Sequence, residues 1–323
     1  MAYADAKQFD PAEIPVVDIS ALRDGSDIAS VSAALHAAST QLGFIYIKGH
    51  GIADTLIQSA RQCAMDFFQA DDAIKAEVSI SAQHRGWLAF GAATMQDDAK
   101  PDLKESFVWG YQDKFGNTPQ DHALRGANQW PAAPPNMQAL AMDYFQQAHD
   151  VAYHLMRGFA LGLGLDETFF LKTCDRPLSR ASFVYYPSQP DSLGKEQFGV
   201  GPHTDFGMLT ILCQDNVGGL QVQNLEGEWV HAPPIEGTLL VNVGDLLSRW
   251  TDGAYKSTPH RVVNRSGKER LSLVLAFDPN PETPIDANEV FGAIYHANNP
   301  PISCGDYLIW RFAKAFAYRK QEP

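Results

Sequence analysis

Cysteine is scarce: four residues in 323, at positions 63, 174, 213 and 304, too far apart for a CxxC pair and too few to staple a small secreted framework. They are expected to be reduced and mostly buried. Basic clusters are lacking as well. Lys and Arg number 25 against 38 Asp and Glu, a formal net charge of -13, which argues against a phosphate-tracking surface and hence against a nucleic-acid partner. An anionic small molecule would therefore need its own buried cation. No apolar run reaches the length of a membrane span, and the amino terminus, Met1-Ala2-Tyr3-Ala4-Asp5, lacks a basic region followed by an apolar stretch. The expectation is a cytoplasmic protein with no membrane partner. Internal repeats and low-complexity tracts are absent too, and nothing in the pattern speaks to oligomeric state.

What is present is the composition of a packed enzyme, with 45% hydrophobic and 20% charged residues, close to the average for folded domains. Ile14 to Ser20 (IPVVDIS) and Gly43 to Lys48 (GFIYIK) are rich in β-branched and aromatic residues and read as short strands. Ile28 to Leu42 and Thr55 to Phe68 carry apolar residues at helical spacing. Asp113 to Pro135, dense in Gly and Pro, reads as a long irregular connection. Beyond it, Asn136 to Leu165 returns to a helical period and predicts a supporting helix. Arg180 to Phe277 then breaks into short β-type runs separated by turn signals such as Val217-Gly218-Gly219, Glu226-Gly227 and Arg265-Ser266-Gly267, the pattern of a sandwich or jelly roll. Tyr307 to Tyr318 reads as a closing helix with a Gly305-Asp306 start. The fold class is thus mainly β with flanking helices, divided into an α/β region over residues 1–135 and a β core with supporting helices over residues 136–323.

The most informative residues are His203-Thr204-Asp205, followed well downstream by His260 in the run Lys256-Ser257-Thr258-Pro259-His260-Arg261-Val262. Two side chains two apart on a strand share a face, so an imidazole and a carboxylate at this spacing can bind one metal ion. A second imidazole from another strand completes a three-ligand face and leaves open positions, the arrangement that suits Fe(II). Taken alone, an HxD triplet is common by chance.

A second feature is the run Arg270 to Phe277 (RLSLVLAF), in which Arg270, Ser272, Val274 and Ala276 share one face. A hairpin turning near Arg265 would set His260 opposite Arg270, ligand beside cation. A guanidinium fits a carboxylate in bidentate fashion, and the neighbouring hydroxyl adds a hydrogen bond. Arg270 is also compatible with a strand-edge ion pair to Glu269.

With these motifs in place, the sequence resembles the isopenicillin N synthase-like Fe(II)/2-oxoglutarate oxygenases. The resemblance covers nearly the whole chain: IPVVDIS, GFIYIKGHGI, Tyr186-Pro187, HTDFGMLTILCQDNVGGLQVQ, Asn242-Val243-Gly244-Asp245, KSTPHRVV and the Arg270-Leu271-Ser272 triplet. It implies a double-stranded β-helix (jelly roll) core, Fe(II) on His203, Asp205 and His260, and 2-oxoglutarate on Arg270, Ser272 and Tyr186. Some plant members have Asn two residues before that Tyr, where this chain has Val184. The pieces PDLKESFVWG, GDLLSRW and STPHRVV look closest to fungal thymine hydroxylases and bacterial relatives. Phe206, Phe277, Arg85 and Trp87 are candidates for the substrate pocket, although Arg85 and Trp87 fit core or surface positions equally well.

The activity implied is a dioxygenase that couples oxidation of a small-molecule substrate by O2 to conversion of 2-oxoglutarate into succinate and CO2. Protein residues orient the reactants while the metal carries the chemistry. Two alternatives remain: an Fe(II) oxidase of the same fold that does not use 2-oxoglutarate, and a non-catalytic ligand-binding relative. Succinate formation separates the first of these, and O2 consumption the second.

Overall fold

The computed structural model describes residues 6–8, 14–93, 100–189, 197–264 and 266–316. The amino-terminal residues Met1 to Asp5, the turn residue Arg265 and the far end of the expected closing helix at Tyr318 lie outside them. Twelve strands carry the architecture: β1 (Val16–Asp18), β2 (Phe44–Lys48), β3 (Gly86–Leu88), β4 (Glu105–Gly110), β5 (Arg180–Tyr186), β6 (Val200–His203), β7 (Leu209–Cys213), β8 (Leu220–Gln223), β9 (Trp229–His231), β10 (Leu239–Val243), β11 (His260–Val262) and β12 (Arg270–Phe277). An eight-stranded sheet runs β1-β2-β10-β7-β12-β5-β4-β3, and a four-stranded sheet runs β6-β11-β8-β9. Every pair is antiparallel except β1 with β2. The large sheet draws four strands from before residue 135 and four from after it.

Period-two alternation decides what each face of the large sheet meets. Along β12, Leu271, Leu273, Leu275 and Phe277 are buried in one apolar cluster with residues of helices Ile28–Gln41, Asp54–Phe68 and Met137–Gly162. The long helix Met137–Gly162 presents Ala141, Tyr144, Ala148, Ala152, Leu155 and Phe159 to that cluster, and Tyr144 Oη donates to the Leu273 carbonyl at 3.3 Å. The opposite face of the large sheet packs on the small one through Phe44, Tyr46, Val184 and Leu240 against Val200, Leu220, Val222 and Val262. The result is the double-stranded β-helix expected from the sequence, and it leaves Arg270 and Ser272 facing the space between the sheets.

Three local expectations need correction. β11 pairs with β6 and β8, while β12 pairs with β5 and β7, so His260 and Arg270 are not hairpin partners. The chain crosses from one sheet to the other between them, and the two residues look at each other across the interior. Within the β-rich stretch, Asp245–Trp250 forms a short helix, because Leu246, Leu247 and Trp250 bury at helical spacing behind Asp245 in the first turn. The closing helix is Cys304–Ala315, starting ahead of Gly305 because the Ser303 hydroxyl accepts from Asp306 N at 3.1 Å and caps it.

All four cysteines are free thiols, with Cys63, Cys213 and Cys304 buried. Burial pushes the Cys63 thiol up to about 11, so it stays protonated and inert at neutral pH. Among the described residues, no helix is long and apolar enough to cross a membrane.

Candidate metal centre and adjoining pocket

β6 and β11 are antiparallel neighbours in which His203 and His260 stand directly opposite each other, their rings 4.3 Å apart between centroids. Asp205 lies just past the end of β6 rather than on the strand itself. It is placed by backbone: its carbonyl accepts from Asp245 N at 2.8 Å, and Gly244 N donates to the Met208 carbonyl at 2.9 Å. A Cβ at Gly244 would sit 2.1 Å from the Gly207 carbonyl oxygen, so only glycine permits this approach.

The side chains converge. Asp205 Oδ1 is 3.7 Å from Nε2 of both His203 and His260, and one ligand atom from each of the three residues falls within 4.8 Å of the others. The outer ring nitrogens are anchored, His203 Nδ1 on the Gly201 carbonyl at 2.8 Å and His260 Nδ1 on the Thr258 carbonyl at 3.2 Å. Asn242 Nδ2 holds Asp205 Oδ2 at 2.8 Å. Such outer contacts fix the tautomer and aim Nε2 at the shared point. Burial, and then the facing His260, hold His203 below its ordinary value and keep it neutral, the form that binds metal. Burial works to raise Asp205, yet its neighbours, the Thr210 and Asn242 side chains that hydrogen-bond to it among them, hold the carboxyl below its ordinary value, so it stays ionised. Two imidazoles and a carboxylate with open directions around them fit Fe(II).

Behind the three ligands lies a cavity of about 170 Å³ that also touches Tyr186, Arg270 and Ser272. Arg270 is buried at 1% exposure; its Nε donates to the Gly218 carbonyl at 2.7 Å, and its guanidinium lies 4.7 Å over the Tyr186 ring. Nη1 and Nη2 of Arg270 and the Ser272 hydroxyl are buried and have no hydrogen-bond partner among the described residues. Glu269 does not take up Arg270; it accepts from Gln69 and from Tyr185. Burial raises the Tyr186 phenol, which stays a donor. A cluster of unsatisfied buried donors, one of them a guanidinium fork, is the complement of a carboxylate.

A second cavity, of about 160 Å³, opens on the other side of the metal residues and shares His203, Asp205, Ser182, Thr210 and Val274 with the first. Its walls include Phe206, Phe312, Phe316, His84 and Arg180. Phe206 is brought there, and Arg311 stacks over its ring at 4.2 Å while pairing with Asp245. The other three substrate candidates are not. Phe277 is fully buried against His149. Arg85 donates to the carbonyls of Gln83, His84 and Leu124 and fills the space above Gly110. Trp87 Nε1 donates to Glu105 at 2.7 Å. Sequence reasoning missed Arg180, which pairs with buried Asp278 at 3.0 Å and lies under Phe312. The alternation along β5 that puts Tyr186 inward also puts Arg180 inward, so the signal was there.

A double-stranded β-helix that gathers two histidines and an aspartate beside an unpaired arginine defines a mononuclear non-haem metal oxygenase. The comparisons agree: residues 179–279 match the 2OG-Fe(II) oxygenase superfamily, and residues 14–133 match the amino-terminal unit described as non-haem dioxygenase in morphine synthesis. The chain is 34% identical to a homoarginine-6-hydroxylase of Glycine max, over 86% of its own length and 88% of the relative's. It is 35% identical to the validamycin A dioxygenase of Streptomyces hygroscopicus subsp. limoneus, over 83% and 78%. Among solved structures, the full-length Neurospora crassa protein in complex with alpha-KG (2-oxoglutarate) superposes with a TM-score of 0.82 at 29% identity, covering 93% of this chain and 96% of that one. The chain belongs to the 2OG-Fe(II) oxygenase superfamily and is a 2-oxoglutarate- and Fe(II)-dependent oxidoreductase.

Proposed function

We propose that the protein oxidises a compact polar small molecule at an iron held by His203, Asp205 and His260, with 2-oxoglutarate held by Arg270, Ser272 and Tyr186 and leaving as succinate and CO2. The observation that carries this reading is the pair of buried, unpartnered guanidinium nitrogens of Arg270, beside the equally unpartnered Ser272 hydroxyl, in the cavity that reaches the three ligand side chains. Leaving buried donors unsatisfied is costly, and a dicarboxylate would satisfy them.

Bound Fe(II) and 2-oxoglutarate would supply the activation of O2, with the oxo acid as the electron donor. The chain's own residues do the rest. His203 and His260 present Nε2 atoms aimed by the Gly201 and Thr258 carbonyls, and Asp205 adds the carboxylate ligand. Arg270 and Ser272 orient the co-substrate by its far carboxylate. Phe206, Phe312 and Phe316 give the second cavity an apolar wall against which a substrate can pack. Arg180, steadied by Asp278, offers the substrate a guanidinium donor. Polar small molecules also figure in the names of relatives (homoarginine, validamycin A) and in a Neurospora complex with thymine.

The test is anaerobic loading with Fe(II) and 2-oxoglutarate, then exposure to O2 with a panel of polar metabolites, following succinate and the mass change of each candidate. Substrate-dependent succinate is expected. Oxidised product without succinate would favour an oxidase that dispenses with 2-oxoglutarate, and no O2 consumption across the panel with iron bound would favour a ligand-binding protein.

A further inference from the structure

We propose that Lys104 is the second cation of the co-substrate cavity, its ammonium meeting the 2-oxo-carboxylate end of the dicarboxylate while Arg270 holds the other end. This rests on the reading of that cavity as the 2-oxoglutarate site.

Lys104 stands just before β4, and its side chain, only 10% exposed, lines the same cavity as His203 and Arg270. The strand register explains how it gets there. Glu105 pairs with Tyr185 across β4 and β5, and Tyr186 pairs with Arg270 across β5 and β12, so Lys104, Tyr186 and Arg270 follow one another across the inward face. Its Nζ leans toward Asp102 Oδ2 at 3.7 Å, an ion pair longer than a hydrogen bond. Among the described residues, that buried carboxylate oxygen has no hydrogen-bond partner. An ammonium with three donors and, among the described residues, this one loose contact retains its capacity for an anion.

A chain of contacts puts that capacity at the metal end. Asp102 Oδ1 accepts from Gly201 N at 3.0 Å, and the Gly201 carbonyl is the anchor of His203 Nδ1, so the Lys104–Asp102 pair is fastened to the strand that carries the first ligand. Much of the surrounding wall is apolar, with Val184, Val200, Leu212, Leu220 and Val262 offering no donor. Charge balance gives an independent argument. Lys104 and Arg270 offset Asp102 and Asp205, so a divalent cation and a dicarboxylate arriving together keep the cavity neutral, whereas loss of Lys104 leaves a net negative charge that repels the incoming anion.

The experiment is calorimetric titration of the metal-loaded, anaerobic protein with 2-oxoglutarate and with 2-oxobutanoate, which keeps the 2-oxo-carboxylate and lacks the far carboxylate. Lys104→Met is expected to weaken both ligands by a similar factor, on the order of tenfold to a hundredfold, as for loss of one charge-assisted hydrogen bond. Arg270→Ala should weaken 2-oxoglutarate and leave 2-oxobutanoate unchanged. Lys104→Arg should restore part of the loss, with melting temperature and bound metal matched to wild type. Loss confined to 2-oxoglutarate in Lys104→Met would overturn the assignment to the metal end. Unchanged affinity for both ligands, or a loss that Lys104→Arg fails to restore, would overturn any direct role. If the metal-loaded wild-type protein binds neither ligand, the 2-oxoglutarate reading itself fails, a result distinct from all of these.

Discussion

Asn242 Nδ2 donates to Asp205 Oδ2 at 2.8 Å, which turns the other oxygen, Oδ1, to a point 3.7 Å from Nε2 of both histidines. This amide thus helps to decide which oxygen can bind metal. Asn242→Ala should lower metal affinity about 10- to 100-fold while preserving the fold, because the carboxylate loses the contact that orients it. Anaerobic Fe(II) titration with circular dichroism checks this; an unchanged affinity would mean that the backbone around Gly244 suffices to aim Asp205.

Stability should depend on pH through His149, a residue far from the chemistry. Its ring is packed between Phe145 and Phe277, its Nε2 has no partner among the described residues, and burial lowers it to about 4. The unfolded chain, with an ordinary value near 6.5, therefore takes up a proton before the folded one does, so stability is lost as pH falls from about 6.5 toward 4. Between pH 7 and pH 5 this site alone should cost roughly 2 kcal/mol. Urea unfolding at the two pH values, in wild type and His149→Phe, measures it. The variant should show a shallower pH dependence, and an identical dependence in both proteins would assign the slope to other groups.

Phe206 and Phe277 both looked like pocket residues, and the structure gives them opposite tests. Phe206→Ala should raise the substrate KM with little change in 2-oxoglutarate affinity, because the ring walls only the second cavity. Phe277→Ala should cost about 3–5 kcal/mol of stability and leave substrate preference alone, as expected for a fully buried aromatic. Denaturant unfolding and steady-state kinetics on the same two variants separate these outcomes.

What was legible in the sequence was parity within a strand. Arg270 and Ser272 point together, and Leu271, Leu273 and Leu275 point away, because side chains alternate whatever the neighbouring strand is. Partner choice was not legible. His260 and Arg270 are near in sequence and flank a turn signal, yet they belong to different sheets, and only long-range packing decides that. Arg85 shows the same limit for single residues. A guanidinium that ties down three backbone carbonyls and one that awaits a ligand look identical until the carbonyls are in place. Lys104 gave no signal at all, since its route into the cavity depends on the register of β4 against β5.

Arg270 bears the prediction that most directly separates a 2-oxoglutarate site from a generic metal site. Its Nη1 and Nη2 are buried and unpaired, while Nε is already committed to the Gly218 carbonyl, so the fork is held in place and aimed into the cavity before any ligand arrives. Hydrogen bonds to charged groups are worth roughly 1.5 to 3 kcal/mol each, so Arg270→Ala should raise the 2-oxoglutarate requirement on the order of tenfold to a thousandfold. Iron affinity should barely move, because none of the three ligands touches the guanidinium in hydrogen-bond geometry. Arg270→Lys should recover only part of the loss, since an ammonium restores charge without the planar fork and cannot reproduce both the Gly218 contact and a bidentate grip. A 2-oxoglutarate titration of succinate production, run beside an Fe(II) titration of the same variants, reads both quantities. Wild-type dependence on 2-oxoglutarate in Arg270→Ala would place the anion anchor elsewhere and bring the oxidase that dispenses with 2-oxoglutarate to the front.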